Sequence, residues 1–341
     1  MKNKKTVLYL ILIAAVLFVT FYRMDSYITR PGGAYELSPL VEVVDGDEDD
    51  EGTFSLMTIS MLNATPALYV YAQFQEGYKV LAPEQVRSLH ETDDEYNVRQ
   101  LKMMSDSQVN ALKAAFETAE LPYEIESAGV FVLNVLEGGA ADGILKAGDR
   151  VLSIDGNKFE TQQEFIEYLA EKQSGDSVEL IIDRGGRELI ENIVLQPLPT
   201  DPERPGLGIS FVEDQSITTD PEVTIDSEEI GGPSAGLMFT LEIINQLVDE
   251  DISKGYDIAG TGTMESEGSV GRIGGIDQKV MAADSAGMEI FFTPYDGTAD
   301  DGVSNYGIAV ETAEKIGTDM EIVPVKTLQD ALDYLEELQP K

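Results

Sequence analysis

Residues 231–248 read GGPSAGLMFTLEIINQLV. Apolar residues recur at helical spacing after the Gly-Gly-Pro sequence, so the pattern predicts a helix with Ser234 at its amino-terminal end. Small neighbours let a substrate backbone approach the serine hydroxyl, and free N–H groups at a helix start can stabilise an oxyanion. The residues alone leave two interpretations of Ser234 open: a catalytic nucleophile or a helix cap.

The motif GPSAG in this stretch fits the G-x-S-x-G pattern of the α/β-hydrolases, whose catalytic histidine follows the serine. The one histidine, His90, precedes Ser234, which excludes that class. His90 lies in the polar stretch SLHETDDEY, where a solvated surface histidine is expected. No serine is followed by a lysine three residues later, which excludes the β-lactamase pattern. Lysine is therefore the best remaining candidate for a base that activates serine.

Residues 271–294 read GRIGGIDQKVMAADSAGMEIFFTP. They contain Lys279, which is a candidate for this base. The Gly-Gly pair predicts a chain break, followed by a helix from about Ile276 that carries Lys279 in its first turns. The positive end of the helix dipole and the apolar neighbours are expected to lower the pKa of Lys279 toward that of a useful general base. An exposed surface lysine is the alternative interpretation.

Composition removes several classes of function. The 341 residues carry 23 basic and 63 acidic side chains, a net charge of −40, so the surface repels nucleic acid. With no cysteine and one histidine, the chain has no thiolate nucleophile and no Cys-ligated or multi-His metal site, and we predict no metal and no cofactor. The acidic run 45–51 is interpreted as a solvated loop, because Asp50 and Leu56 stand where an EF-hand requires glycine and glutamate.

The amino-terminal residues predict a membrane segment. Lys2, Lys4 and Lys5 precede an apolar run over residues 6–22 that lies at the short end for a membrane-spanning helix, and no A-x-A cleavage site follows it. We interpret residues 6–22 as an uncleaved signal anchor in lipid, with the lysines in the cytosol and the rest of the chain outside the cell membrane. A cleaved signal peptide is the alternative.

The chain between these segments divides by pattern. Residues 24–52 are predicted to be irregular, residues 54–72 to form a strand and a turn at Pro66, and residues 83–120 to be helical. Short strands and turns then follow, with a helix at 162–172 and two strands joined at Gly185 and Gly186. A proline-rich linker at 197–206 closes this unit.

Residues 138–156, GGAADGILKAGDRVLSIDG, resemble the core signature of a bacterial PDZ domain. The matching residues are Ala140, Gly143, Leu145, Gly148, Asp149, Val151, Ile154, Asp155 and Gly156. The resemblance implies that a peptide adds as a strand to a sheet edge while a loop binds its carboxylate. That loop is predicted at residues 126–131, with Ala128, Gly129, Val130 and Phe131 as peptide-binding residues.

Residues from about 205 to 338 resemble the proteolytic domain of Lon peptidases, through GPSAG, TGTMESEGSVGRIGGIDQK, AADSAGMEIFFTP and EIVPVKTLQDAL. The resemblance implies that Ser234 is the nucleophile and Lys279 the general base. It also implies that Thr261 hydrogen-bonds the lysine, and Gly232, Pro233 and Ala235 flank the nucleophile as supporting residues. Gly231 departs from the family pattern, which has an acid there. The chain has no G-x-x-x-x-G-K-[ST] motif, so no ATP is expected.

Together these segments resemble the membrane-anchored, PDZ-containing Lon-like serine peptidases of Gram-positive bacteria. The implied fold is α+β, with a Lon-type proteolytic domain, a small β-barrel-like PDZ domain and an N-terminal transmembrane helix. Because residues 52–61 resemble an early strand of the proteolytic fold, the PDZ domain is expected to be an insertion. The predicted boundaries are 1–23 (anchor), 24–122 (extracytoplasmic, partly proteolytic), 123–199 (PDZ) and 205–341 (proteolytic).

The expected function is ATP-independent cleavage of peptides or small flexible proteins outside the membrane by a Ser-Lys dyad, with the PDZ domain helping to capture substrate. The resemblance implies secreted signalling peptides or small membrane-bound regulators as substrates. The alternative is a non-catalytic PDZ scaffold that binds peptides at the cell surface.

Overall fold

The computed structural model describes residues 2–47, 51–88, 91–198, 201–227, 230–265, 267–295, 297 and 304–341. Asp49, Asp50 and His90, which the sequence analysis discusses, lie outside the described residues. The chain forms two compact units. Unit 1 comprises Met1–Leu89, Thr224–Asp226 and Ser234–Lys341, and unit 2 comprises His90–Val223 and Ser227–Pro233.

The helices of the described residues are α1 (Lys2–Phe21), α2 (Pro66–Ala72), α3 (Asp93–Thr118), α4 (Gln162–Ala170), α5 (Gly236–Leu247), α6 (Ile276–Ala286), α7 (Asn305–Ile316) and α8 (Leu328–Glu337). The strands are β1 (Tyr27–Glu36), β2 (Val41–Val43), β3 (Thr53–Asn63), β4 (Lys79–Leu81), β5 (Tyr123–Val135), β6 (Arg150–Ile154), β7 (Ser177–Asp183), β8 (Glu188–Val194), β9 (Gln196–Leu198), β10 (Asp201–Gly206), β11 (Ile209–Thr219), β12 (Val223–Ile225), β13 (Asp257–Gly260), β14 (Thr263–Met264), β15 (Val270–Gly271), β16 (Ile290–Pro294) and β17 (Glu321–Val325).

Unit 1 is built on a sheet of order β17-β16-β13-β3-β1-β4 in the described part of the chain. The four strands β17, β16, β13 and β3 run parallel, whereas β1 pairs antiparallel with β3, and β4 pairs antiparallel with β1. The short apolar strands IFFTP and DIAG are almost wholly buried, as expected for parallel strands covered on both faces. The core of this unit gathers Phe291, Ala259 and Met57 from the sheet with Val280 of α6.

Two predictions for the amino-terminal region are wrong. Residues 24–52 are not irregular throughout, because β1 pairs with β3 along most of its length. Its Pro31 and two glycines sit where the register shifts, a place that tolerates a residue without a ladder N–H. Pro66 does not make a turn but opens α2, because Thr65 caps the helix and a proline fits the first helical position.

Unit 2 contains a sheet of order β11-β5-β6-β7-β8 among its described residues. The predicted helix at 162–172 is confirmed as α4, and the predicted hairpin at Gly185 and Gly186 is confirmed as the antiparallel pair β7 and β8. A core of aliphatic residues and Phe165 lies beside this sheet. The predicted helical region 83–120 contains α3, preceded by a short 3₁₀ turn over Pro83–Gln85.

Pairing with later residues changes two other assignments. Residues 126–131 are not a loop but the middle of β5, because β11 pairs with β5 along its whole length. The predicted linker at 197–206 contains β9 and β10, which pair with each other and lead directly into β11. The sheet of unit 2 therefore extends past the boundary predicted at residue 199.

Helix α1 is the one described helix that is long and apolar enough to cross a membrane, over Lys4–Phe21. A signal sequence near the amino terminus also meets these criteria, so α1 by itself suggests a membrane anchor only weakly.

Candidate active site

Ser234 lies immediately before α5, at the carboxyl end of the buried strand β13. The carbonyl of Ser234 accepts hydrogen bonds from the hydroxyl of Thr261 and from the amide of Gly262, both at 2.9 Å. The amide of Leu237 in turn donates to the carbonyl of Gly262 at 3.1 Å. These bonds fix the start of α5 against the end of β13. The predicted helix is confirmed, but its cap is Ala235, and Ser234 makes no capping hydrogen bond.

Lys279 lies in the first turns of α6, where the Gly-Gly break was predicted to place it. Gly275 begins this helix with φ +67°, and a Cβ atom there would lie 2.1 Å from the side chain of Ile59. Only glycine readily adopts this positive φ and also leaves room for the side chain of Ile59. The neighbouring Gln278 donates to the carbonyl of Gly77 and to the hydroxyl of Thr29, which ties this turn of the helix to β1 and the loop before β4.

Asn305, at the start of α7, holds the chain just before α6. Its side-chain oxygen accepts from the amide of Ile273 at 2.9 Å, and its side-chain nitrogen donates to the carbonyl of Ile273 at 3.0 Å. Sequence reasoning missed both Asn305 and Gln278. Their backbone and hydroxyl partners lie 32 to 249 residues away along the chain, so no local pattern signals either contact.

The three predicted central residues meet in one site. The Nζ atom of Lys279 lies 2.6 Å from Ser234 Oγ and 2.9 Å from Thr261 Oγ1. Thr261 is fully buried, Lys279 is 4% exposed and Ser234 is half-buried. Lys279 is therefore not the surface lysine of the alternative interpretation, and the serine is the member of the group that faces outward.

The hydrogen bonds limit where the protons of a neutral Lys279 can lie. The single hydroxyl proton of Thr261 is committed to the carbonyl of Ser234, so Thr261 Oγ1 accepts from Lys279. A neutral amine has two N–H groups and one lone pair, and one N–H is directed at Thr261. The lone pair is then available to accept the hydroxyl proton of Ser234.

Burial brings the pKa of this amine close to physiological pH. Desolvation lowers the pKa of Lys279 from 10.5 to about 7, because a charged ammonium loses its water without gaining a counter-ion. A general base is most effective when its pKa lies near the working pH. The site thus pairs a serine hydroxyl with an amine whose protonation state is suited to accept its proton.

The segment before the nucleophile is held by α3. Gly232 donates its amide to the carbonyl of Gln100 at 2.9 Å, and the hydroxyl of Ser107 donates to the carbonyl of Pro233 at 2.9 Å. A Cβ atom at Gly231 would lie 2.9 Å from the Cβ of Gln100. The close approach of α3 therefore explains why glycine stands where the Lon pattern has an acid.

Comparison with known proteins agrees with this geometry. Residues 221–337 match the profile of the Lon protease (S16) C-terminal proteolytic domain, and residues 100–195 match that of the PDZ domain. The chain carries a Lon-type proteolytic domain and a PDZ domain. The expected mixed α and β fold with these two domains is thereby confirmed.

Individual relatives match parts of the chain. Lon protease of Metamycoplasma arthritidis is 31% identical over 121 residues, which cover 36% of this chain and 13% of that protein. Lon protease of Xanthomonas oryzae is 28% identical over 141 residues, which cover 41% of this chain and 15% of that protein. The chain thus spans less than a sixth of the length of these relatives.

Among solved structures, the PDZ domain of an SdrC-like protein from Listeria monocytogenes is 36% identical, with a TM-score of 0.23, and covers 25% of this chain and 88% of that one. The second domain of a Listeria protein is 41% identical, also with a TM-score of 0.23, and covers 25% of this chain and 85% of that one.

The predicted peptide-binding residues of the PDZ domain lie inside its sheet. Val130 and Phe131 pair with β11 on one side and with β6 on the other, so their backbone cannot receive an added strand. Gly129 is buried at φ +101° and Ala128 occupies a register shift of the same pairing. The cause is the long β11, which fills the edge that the prediction assigned to a peptide.

The buried amine makes a prediction for stability. Between pH 7 and 10.5 unfolded Lys279 is protonated while the folded residue is neutral, so the unfolded state binds more protons and stability rises with pH. We expect the unfolding free energy of the native protein to gain up to about 1.4 kcal/mol per pH unit from this group. Lys279→Met removes that slope and is more stable than the native protein at pH 7.

Urea denaturation at pH 7, 8 and 9 measures the effect as the difference between the native protein and Lys279→Met. Lys326→Met is the matched control, because Lys326 is an exposed lysine of the same unit. Equal slopes for the native protein and Lys279→Met would show that Lys279 is charged in the folded state.

Proposed function

We propose that this protein is a membrane-anchored serine endopeptidase that uses Ser234 and Lys279 as a catalytic dyad. The observation that carries the proposal is the 2.6 Å contact between Ser234 Oγ and the buried Lys279 Nζ. The Lon-type domain supports a serine peptidase, and the geometry supports this pair as its reacting groups. The order of the two residues and their distance suit an attack that needs no histidine.

In the proposed reaction, Ser234 Oγ attacks the scissile carbonyl while its proton passes to the lone pair of Lys279. The carbonyl oxygen becomes an oxyanion, for which the amides at the start of α5, at Ala235 and Gly236, are the nearest backbone donors by position. Lys279 then returns the proton to the leaving amine, and an acyl-serine remains. A water molecule, deprotonated by Lys279, attacks the acyl carbon. The bond from that carbon to Ser234 Oγ breaks, Lys279 gives the proton to Oγ, and the second product leaves as a carboxylic acid.

Two features of the chain bear on its substrates and its location. We propose cleavage of extended peptides or flexible protein segments without ATP, because the sequence has no G-x-x-x-x-G-K-[ST] motif with which to drive unfolding. Helix α1 supports anchoring to the cell membrane, with the Lys-rich amino terminus in the cytosol and the chain that follows α1 outside. Secreted signalling peptides and small membrane-bound regulators are the substrates that the family resemblance suggests.

The dyad is tested by two substitutions. Ser234→Ala and Lys279→Met are each expected to reduce cleavage of an unstructured, fluorescence-quenched peptide by at least about 10³-fold, because the nucleophile and its base act as one unit. Ser285→Ala and Lys326→Met serve as matched controls, since Ser285 is an exposed residue and Lys326 an exposed lysine of the same unit. Circular dichroism verifies that each variant is folded.

A fluorophosphonate probe separates the peptidase from the PDZ scaffold of the alternative interpretation. The probe is expected to label Ser234 in the native protein and to leave Ser234→Ala unlabelled. A native protein that binds peptides but neither reacts with the probe nor cleaves any peptide would support the scaffold.

The pH dependence tests the protonation state of the base. Below a pKa of about 7 Lys279 is protonated and cannot accept a proton, so kcat/KM should fall about tenfold per pH unit on the acid side. Above that pKa the rate should level off. A pH-rate profile measured on a peptide without ionisable side chains provides the check, and a rate that keeps rising to pH 10 would contradict a lowered pKa for this lysine.

For the PDZ domain we propose peptide addition at the outer edge of β11. Strand addition needs an unpaired sheet edge, and among the described strands β11 pairs with β5 alone. The strand follows a glycine turn, with Gly208 at φ +73°, and Phe211 on it makes an edge-on contact with Phe165 of α4, with the ring centroids 4.8 Å apart. This ring contact places α4 beside β11.

A photo-crosslinking amino acid locates the peptide. Placed at the exposed Ser210 of β11, it is expected to capture a bound peptide, whereas the same group at the exposed Asn192 of β8, on the opposite sheet edge, is not. Capture at Asn192 alone would reverse the assignment of the edge.

A further inference from the structure

A compact apolar surface of unit 1 lies far from the candidate dyad in sequence. It consists of Tyr69, Val70 and Tyr71 of α2 with Phe74 just beyond the helix, which are 38%, 58%, 51% and 81% exposed. We refer to these four residues as the aromatic patch. Tyr71 rests edge-on against Tyr78, with ring centroids 5.7 Å apart, so the patch has support from the fold beneath it. Clustered exposed aromatic residues of this kind mark interaction surfaces.

The aromatic patch also stands out by charge. Residues 53–75 contain no charged side chain, although the whole chain carries a net charge of −40. A strongly acidic surface is repelled by anionic lipid headgroups, which leaves an uncharged apolar surface as the part of the molecule that can approach a bilayer.

The position of the patch is set by the end of α1. Helix α1 contacts α2, and the chain that leaves α1 is fixed at once, because the amide of Met24 donates to the carbonyl of Ala64 at 2.8 Å. The amide of Ala64 donates back to the carbonyl of Ser26 at 2.9 Å, and Met24 packs against the buried cluster of Ile28, Ala64 and Ala72. The start of α2 is therefore held beside the last residues of α1.

The end of α1 is itself aromatic. Phe18 and Tyr22 stack with their ring centroids 4.7 Å apart, and both Phe21 and Tyr22 are exposed. Aromatic side chains concentrate where a membrane-spanning helix passes from hydrocarbon to headgroups. If α1 spans the bilayer, its aromatic end marks the depth of the outer interface, and the aromatic patch lies next to it.

We propose that the aromatic patch inserts into the outer headgroup region of the membrane beside α1. The inference rests on the proposed membrane anchor. Insertion gives unit 1 a second membrane contact in addition to α1, since apolar side chains of a short helix that lies in the interface are removed from water there. Unit 1 is then held at the lipid surface by two contacts, α1 and the aromatic patch.

The absence of tryptophan from the chain allows a direct test. Phe74→Trp introduces a single indole into the full-length protein, which is reconstituted into vesicles of phosphatidylcholine and phosphatidylglycerol. We expect blue-shifted emission and loss of most of the fluorescence when the vesicles contain lipid spin-labelled near the headgroup. Tyr71→Trp repeats the measurement at a second site, in case one variant fails to fold.

Tyr295→Trp is the matched control, because Tyr295 is an exposed tyrosine of the same unit that follows β16. Its emission should stay red-shifted and unquenched by the same lipids. Flotation of the vesicles reports on α1, and peptide cleavage reports on the dyad, so each part is measured separately.

Floating protein with a red-shifted, unquenched indole at positions 74 and 71 would overturn the insertion of the patch while leaving the anchor intact. Blue-shifted emission that lipid does not quench would show that a protein surface covers the patch, and would also overturn the proposal. Protein that fails to float would refute the anchor and the patch together, without bearing on the dyad.

Discussion

The burial of one amine is the constraint on which the proposed chemistry of this molecule depends. Lys279 reaches Ser234 only because α6 starts in direct contact with the sheet, with Gly275 against Ile59 and Gln278 bonded to Gly77. A drop in pKa from 10.5 to about 7 corresponds to about 5 kcal/mol, a cost that the rest of unit 1 must offset. The site is therefore a place where stability is given up for a reactive protonation state.

The same burial restricts which residues can accompany the lysine. A carboxylate beside Lys279 would hold the amine in its charged form and remove the base. Thr261 avoids this outcome because its hydroxyl is neutral. That hydroxyl donates its one proton to the backbone carbonyl of Ser234, so toward the amine of Lys279 it can only act as an acceptor. Threonine thus orients the lone pair of the lysine without changing its charge. The geometry explains why a hydroxyl, and not an acid, occupies this position.

Local patterns in the sequence predicted the elements that carry the chemistry but not their supports. Helix α5 follows Gly-Gly-Pro and helix α6 follows Gly-Gly. Both are predicted by the helix-breaking residues before them and by the spacing of their apolar residues, which are local signals. Strand β1 was missed because its Pro31 and glycines resemble a loop, and it becomes a strand only through pairing with β3. The middle of β5 resembles a loop for the same reason, since its partner β11 lies some eighty residues later in the chain. Pairing over such distances leaves no local trace.

These long-range supports show that unit 1 is larger than the segment that matches the Lon profile. That match covers residues 221–337, yet β3, which flanks β13 directly, comes from residues 53–63. The first turn of α6 is tied to Thr29 and Gly77, which also precede the match. A fragment cut at residue 221 would expose the edge of β13 and free the helix that carries Lys279. The burial that lowers the pKa of Lys279 is therefore a property of the whole folded unit. The local motif around Lys279 predicts the helix but does not by itself produce this burial.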